Sequence, residues 1–367
     1  MSSDSRSVGL KILSIFGALY LFLVGINGMS SAIKQMGKDV ADSIFTTTGD
    51  PLIALFIGVL ATVLFQSSST TTSLIVGLVS SGALGLSGAI PMIMGANIGT
   101  TVTNTIVSIG HLNRGNEFRR AFAASTVHDF FNILAVLILF PLEMTFHGIQ
   151  RFAEWIASLM FGKIQNVDIL TAKSPIKVAI KSGANFVEKF TFGNDIIYLI
   201  LSVFITFVML YALVKILRSL VLKKVEAFFD QFIFKTALRA IGFGVLLTVM
   251  VQSSSITTSL VVPLAGAGVL TLRQIFPFTL GANIGTTITA LLASITGTVA
   301  ALIAAIGHLL FNIFGILIIY GLPFLRIIPL TCAEWIAEKA IGNKLIPIFY
   351  LLIFFLGIPL VIVIIGR

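Results

Sequence analysis

Residues 66–103, QSSSTTTSLIVGLVSSGALGLSGAIPMIMGANIGTTVT, return without a gap at 252–289 as QSSSITTSLVVPLAGAGVLTLRQIFPFTLGANIGTTIT, with 22 of 38 positions identical. The likeness continues downstream. His128, Phe131 and Asn132 recur as His308, Phe311 and Asn312, and AEWIA at 153–157 recurs at 333–337. A chain that repeats itself on this scale folds as two copies of one unit. The boundary falls near residue 190, giving a first repeat over 1–190 and a second over 191–367.

Each copy has too little charge to fold in water. Charged residues make up 11% of the chain, hydrophobic residues 57%, and the mean hydropathy is +1.05. That composition describes an all-α integral membrane protein surrounded by lipid. The net charge of +9 does not indicate nucleic acid. Its basic residues gather in short loops, with Arg114, Arg119 and Arg120 in one and Lys215, Arg218, Lys223, Lys224, Lys235 and Arg239 in another, as cytoplasmic loops do. A single cysteine, Cys332, excludes a disulfide framework. The uncharged stretch 12–33 is too long for a signal-peptide core and is expected to stay as a helix.

Segments 12–33, 88–109, 121–142, 196–214, 274–295, 299–322 and 345–366 are long enough to cross a bilayer. The segment before each QSSS is different. Residues 52–65 would make a helix of about 21 Å, short of a ~30 Å hydrocarbon core. Interrupted segments at matching places in two halves predict re-entrant helical hairpins, here at 52–86 and 238–270, and broken helices around a midplane site. Three full crossings separate 12–33 from 196–214, an odd number, so the second repeat should be inverted. Loop charge agrees: 110–120 is basic and its counterpart at 295–298 is uncharged. Residues 143–195 link the halves, with an amphipathic interfacial helix around Glu154, Trp155 and Ile156.

No Asp, Glu, Lys or Arg lies between Asp50 and Arg114, or between Arg273 and Arg326. These spans nevertheless hold the densest hydroxyl and amide clusters in the chain. Eight consecutive polar side chains, Gln66 to Ser73, must pair with each other, with backbone or with a ligand, because an unpaired group facing lipid costs several kcal/mol. Packing by small polar residues would account for one such cluster. Two matched clusters, each beside a GANIGTT break, point to a binding site. Neutral oxygens suit sodium. Helix starts behind Ser/Thr runs suit an oxyanion. An anion among neutral groups needs its charge balanced by cations bound with it, and that deficit is a basis for coupling.

The duplicated QSSS with GANIGTT closely resembles the type II sodium-dependent phosphate cotransporters and their bacterial relatives, over nearly the whole chain. The resemblance implies sodium-coupled symport of inorganic phosphate across the plasma (bacterial inner) membrane by alternating access, with Na+ as coupling ion and no cofactor. It leaves a homodimer open. Carried over by position, Ser67, Ser68, Ser253 and Ser254 would contact phosphate, with Asn97 and Asn283 beside them. Sodium would take Gln66 and Ser69 with Thr286, Thr289 and the backbone at Ala282. Gln252, Ser255, Thr100 and Thr103 form the mirror set. Many relatives have serine where this chain has Ala96 and Ala282.

Three other readings compete with this one. A different small oxyanion would use the same groups. An ion channel needs a continuous path, which paired half-helices do not provide. An intramembrane hydrolase built on His128 and Asp129 fails because His128 recurs as His308, whereas Asp129 is matched by Leu309. Electrogenic members of the family resemble one another in an acidic residue shortly after the first QSSS, and here Val79, Ser80, Ser81, Gly82 and Ala83 supply none. Two sodium ions should therefore move with one divalent phosphate. Phosphate applied to voltage-clamped proteoliposomes is expected to evoke no current, and a sustained current overturns that stoichiometry.

Overall fold

The computed structural model describes residues 3–37, 44, 46–161, 175–225 and 233–366. The part of the linker at 162–174 and the part of the second basic loop at 226–232 lie outside the described residues. In the first half the helices are α1 (Ser3–Gln35), α2 (Pro51–Phe65), α3 (Ser68–Ser81), α4 (Leu86–Gly99), α5 (Val102–Ile109), α6 (Asn116–Phe146), α7 (Gly148–Phe161) and α8 (Pro175–Lys189). The second half has α9 (Asp195–Val225), α10 (Ala237–Val251), α11 (Ser254–Ser259), α12 (Val261–Gly266), α13 (Leu272–Ser294), α14 (Val299–Gly315), α15 (Pro323–Gly342), α16 (Ile346–Tyr350) and α17 (Ile358–Ile365). Among the described residues six stretches are long and apolar enough to cross a membrane: Leu10–Gln35, Asn116–Phe146, Asp195–Leu217, Leu272–Ser294, Val299–Tyr320 and Ile346–Ile365. Leu13, Phe16, Ile200, Phe204, Leu360 and Ile364 stand exposed on three of them, as lipid-facing side chains would. The chain is an all-α integral membrane protein.

Small residues set how closely the helices approach. α1 lies along α9, and a Cβ added at Gly25 would meet the Thr206 hydroxyl at 2.4 Å. The hairpins depend on glycine even more. α2 runs parallel to α4, with Gly58 against the Met92 carbonyl, Gly95 against that of Leu55, and Gly99 against Thr62. α10 lies on α13 in the same register, through Gly244 on Phe278, Gly281 on Ile241 and Gly285 on Thr248. Small residues four apart are the usual means of bringing two membrane helices backbone to backbone. The glycines of GANIG therefore mark a helix crossing, and α4 and α13 run through them unbroken.

Gln66 and Gln252 close α2 and α10 in the left-handed conformation, with φ of 53° and 56°, and α3 and α11 then turn back. The Thr48 carbonyl lies beside Gly88, and α3 ends at Gly82, a few residues before α4 begins. Both feet of the first hairpin thus lie near the start of α4. Ser80 neighbours Gly297, whereas Gly266 neighbours Glu117 and Ala121.

The stretch 88–109, expected as one crossing helix, is two helices. Their junction is at Thr100 and Thr101. The Ser255 hydroxyl from the other half donates to the Thr100 carbonyl at 3.3 Å, and the Asn104 N–H turns to the Thr101 carbonyl at 3.0 Å. In the second half α13 continues through Thr286 and Thr287, and it is the hairpin that breaks instead, between α11 and α12. Pro263 causes this, since its ring crowds the carbonyl of Ser259; Gly77 occupies the equivalent place in α3 and leaves that helix whole.

The amphipathic segment around Trp155 is α7. It buries Ile149, Ala153 and Ala157 and exposes Phe152, Trp155 and Leu159. A Cβ at Gly95 would stand 1.8 Å from the Leu55 carbonyl, and the rigid arm cannot yield cheaply. Gly95→Ala is expected to cost about 1–3 kcal/mol of stability. Gly148→Ala, with nothing within 4 Å of its Cβ, should change nothing. Thermal unfolding of the purified variants in detergent measures both.

Candidate functional site

Each QSSS is the joint between two hairpin arms, and each residue in it has a separate task. The Gln66 side-chain amide donates to the Val63 carbonyl at 2.7 Å, capping α2, while its Oε1 accepts from the Thr103 hydroxyl at 3.0 Å. Gln252 repeats this with Val249 at 2.8 Å and Thr289 at 2.9 Å. An amide side chain does both because it carries a donor nitrogen and an acceptor oxygen side by side. Ser67 and Ser253 are N-caps whose hydroxyls accept from the Thr70 and Ile256 N–H groups at 3.2 and 3.3 Å.

Many of the remaining hydroxyls are satisfied within their own helix. Thr71, Thr72 and Ser73 donate back to the carbonyls of Ser67, Ser68 and Ser69, and Thr257 and Thr258 to those of Ser253 and Ser254. Thr100 and Thr286 do the same to Ala96 and Ala282 at 3.0 and 3.1 Å. Packing therefore explains much of the polar run. What it leaves over is specific. Among the described residues the buried Ser68, Ser69 and Ser254 hydroxyls take no partner, and Ser68 and Ser254 each start a helix whose first N–H groups precede any intrahelical bond.

Gln66 and Gln252 each accept from the threonine of their own half, because each hairpin arm is parallel to its own α4 or α13. The sodium sets that the resemblance implies, Gln66 with Thr286 and Thr289 and Gln252 with Thr100 and Thr103, would be joined through an ion rather than by such bonds. Of the expected links between halves, the one from Ser255 to Thr100 is present. Ser69, Ala282 and Thr286 are buried along α3 and α13, which pack against each other across the halves.

Asn97 and Asn283 separate in role. Asn97 donates to the Ile93 carbonyl of its own helix at 2.9 Å. Asn283 is committed to a chain between halves: its Oδ1 lies 2.6 Å from His128 Nε2, and its Nδ2 donates to Asn132 at 2.8 Å. Asn132 in turn donates to the Asn97 carbonyl at 2.9 Å. Both amide groups of Asn283 are thus occupied by protein. The mirror residues do not repeat the chain; Asn312 donates to the His308 carbonyl, and among the described residues the His308 ring has no partner.

Two further contacts escaped the sequence reading. Asn104 donates its side-chain N–H to the Thr258 hydroxyl of the other half at 2.7 Å, and Tyr350 donates to the buried Asp129 at 2.8 Å. Asn104 is matched in the repeat by Ala290, so a search for duplicated residues passes over it, although an amide inside an apolar stretch was a usable signal. With His128 held by Asn283 and Asp129 by Tyr350, neither joins the serines of the tips.

Helix joints rich in neutral oxygen and free N–H donors, inside the bundle of a polytopic membrane protein, supply groups that can hold a small anion or cation. Residues 21–164 and 189–322 match the sequence profile of the Na+/Pi-cotransporter family. The chain is 34% identical over 96% of its length to sodium-dependent phosphate transport protein 2B of Pongo abelii and of Homo sapiens. It is 36% identical over 98% of its length to protein 2A of Rattus norvegicus. The matches span 65%, 64% and 68% of those proteins' own lengths. No solved structure matches. The chain belongs to the Na+/Pi-cotransporter family.

The Asn104–Thr258 bond joins the halves in a dry environment. A double-mutant cycle of Asn104→Ala and Thr258→Val, read by thermal unfolding, should give a coupling of about 1 kcal/mol. Additive effects would mean that the pair carries no such link.

Proposed function

We propose that this chain is a symporter that moves inorganic phosphate with sodium by alternating access. Its frame is two inverted-topology repeats, 1–190 and 191–367, each with a re-entrant hairpin meeting near the bilayer midplane. Three things support this reading. The relatives are named sodium-dependent phosphate transport proteins. Both feet of the first hairpin lie near the start of α4, as in a segment that enters and leaves on one side. Ser80 beside Gly297, and Gly266 beside Glu117, join opposite ends of the repeat unit, as a two-fold axis in the membrane plane requires.

The observation that carries the proposal is the state of the two tips. Ser68 and Ser254 offer unpartnered hydroxyls beside the first-turn N–H groups that the Ser67 and Ser253 caps leave free. Helix starts of this kind bind phosphate through backbone donors and dipole. Asn283, held by His128 and Asn132, would shape the pocket rather than touch the anion, whereas Asn97 spends one N–H on the Ile93 carbonyl and would offer the other. Sodium would sit where amide, hydroxyl and carbonyl oxygens crowd together without charge: Gln252 Oε1 with Thr286, Thr289 and the Ala282 carbonyl, and in mirror Gln66 with Thr100 and Thr103. Ser69 and Ser255 would approach each set from the hairpins. Cations there offset the cost of an anion held among neutral groups. A plasma membrane, bacterial inner membrane included, is the setting such a symporter needs.

Radiolabelled phosphate uptake into liposomes tests this. Wild type should accumulate phosphate only with an inward sodium gradient and with saturation, and uptake indifferent to sodium would sink the proposal. Gln252→Ala removes one sodium oxygen, so it should raise the half-saturating sodium concentration about tenfold or more, as loss of a charge-assisted contact would. Gln66→Ala reports in the same way on the mirror set.

A further inference from the structure

Away from the hairpin tips, a cavity of about 360 Å³ opens between the first turns of α13 and α15 and the end of α14. Its lining includes Arg273, Arg326, Phe276, Tyr320 and the apolar residues Ile327 and Leu330. Its size falls in the range of small-molecule sites. Its charge is one-sided: the ion pairs formed by described residues involve His111, Arg114, Arg119, Glu117 and Glu338, and neither arginine of this cavity takes part.

Two guanidinium groups on the wall of one partly apolar cavity add to its positive potential. Each also stands in the first turns of a helix, whose dipole end has the same sign. An anion entering the cavity meets both contributions. The cavity wall is shaped to present the charge. Helix α14 continues through a π-helical segment, Ile316–Tyr320, which carries Tyr320 to the wall, where its ring meets Phe276 edge-on at 5.5 Å. The Arg326 guanidinium lies over the Tyr320 ring, 5.2 Å from its centre. Stacking of this kind orients the guanidinium through its face and leaves its N–H donors at the edge for a ligand. The duplicated frame does not account for the pair, since Ser87 and Phe146 occupy the equivalent places in the first half.

We propose that this cavity binds a single phosphate group, through charge-assisted bonds from Arg273 and Arg326. Planar donor forks suit the tetrahedral oxygens of a phosphate. Two sources share that chemistry. One is the headgroup of an anionic phospholipid, whose chains would run along Phe324, Ile327 and Ile328, all exposed on α15 beside the cavity. The other is free inorganic phosphate.

The test compares wild type with Arg273→Gln/Arg326→Gln in two arms. In the lipid arm, protein purified from mixed phosphatidylcholine and phosphatidylglycerol is examined by native mass spectrometry. Wild type should retain phosphatidylglycerol preferentially, and the double variant should lose that preference by about tenfold or more, two basic contacts having gone. In the phosphate arm, the protein sits in nanodiscs of phosphatidylcholine alone, and inorganic phosphate is added during thermal unfolding. Wild type should then gain more stability than the variant, the central site contributing equally to both. Separation in either arm supports the site and names its source. Arg151→Gln, on the exposed surface of α7, should behave as wild type. If the glutamine pair does not fold, Arg273→Gln alone makes the same comparison, as its side chain is exposed. Variants indistinguishable from wild type in both arms overturn the proposal.

Discussion

Everything at the hairpin tips depends on how closely one helix can lie on another. Gly58, Thr62 and Gln66 form a row four residues apart on α2, and Gly95, Gly99 and Thr103 form the facing row across α4 and α5. Glycine at the crossing lets the two backbones touch, and that contact fixes the register in which Gln66 reaches Thr103. The second half has the same rows, Gly244, Thr248 and Gln252 facing Gly281, Gly285 and Thr289. A larger residue at the crossing would separate the helices and leave both glutamine oxygens without their hydroxyls.

From that shared frame the halves diverge, and they do so where one half grips the other. Ser255 draws off the Thr100 carbonyl and divides the first-half helix, whereas Ser69 has no such partner and α13 stays whole. Pro263 divides the second hairpin and Gly77 leaves the first intact. His128 and Asn132 close a chain through Asn283, which His308 and Asn312 do not repeat. A bundle whose two halves made identical bonds would have no preferred tilt of one against the other. Unequal bonds between equal halves bias the bundle toward one arrangement.

Much of the architecture was legible in the chain. The repeat and six of the seven expected spans follow from identity at a fixed offset and from apolar lengths, and a helix lies on either side of each QSSS. The break expected at each GANIGTT occurs only in the first half, at Thr100 and Thr101, while its glycines mark a crossing in both. Glycine in a sequence marks both breaks and close crossings, and only the neighbouring helix decides between them. The bond that each glutamine makes within its own half was not legible for a related reason, since repetition at a fixed offset says nothing about whether a hairpin arm lies on its own half or on the other. Asn104 and Tyr350 lay outside the repeat and gave no signal to a search built on duplication.

The sequence by itself determined that the chain is helical, membrane-embedded and duplicated, because length, hydropathy and repetition are properties of the chain taken in order. It also determined that the Gln66–Ser73 run must find partners, because polar groups cannot stand bare against lipid. Only the tertiary structure decided which of those groups are used up and which are left. Thr71, Thr72 and Ser73 turn back onto their own helix, Asn283 is taken by His128 and Asn132, and Ser68 and Ser254 remain. Hydrogen bonds are settled by distances of a few tenths of an ångström between helices far apart in sequence, and that information exists only once the helices have packed.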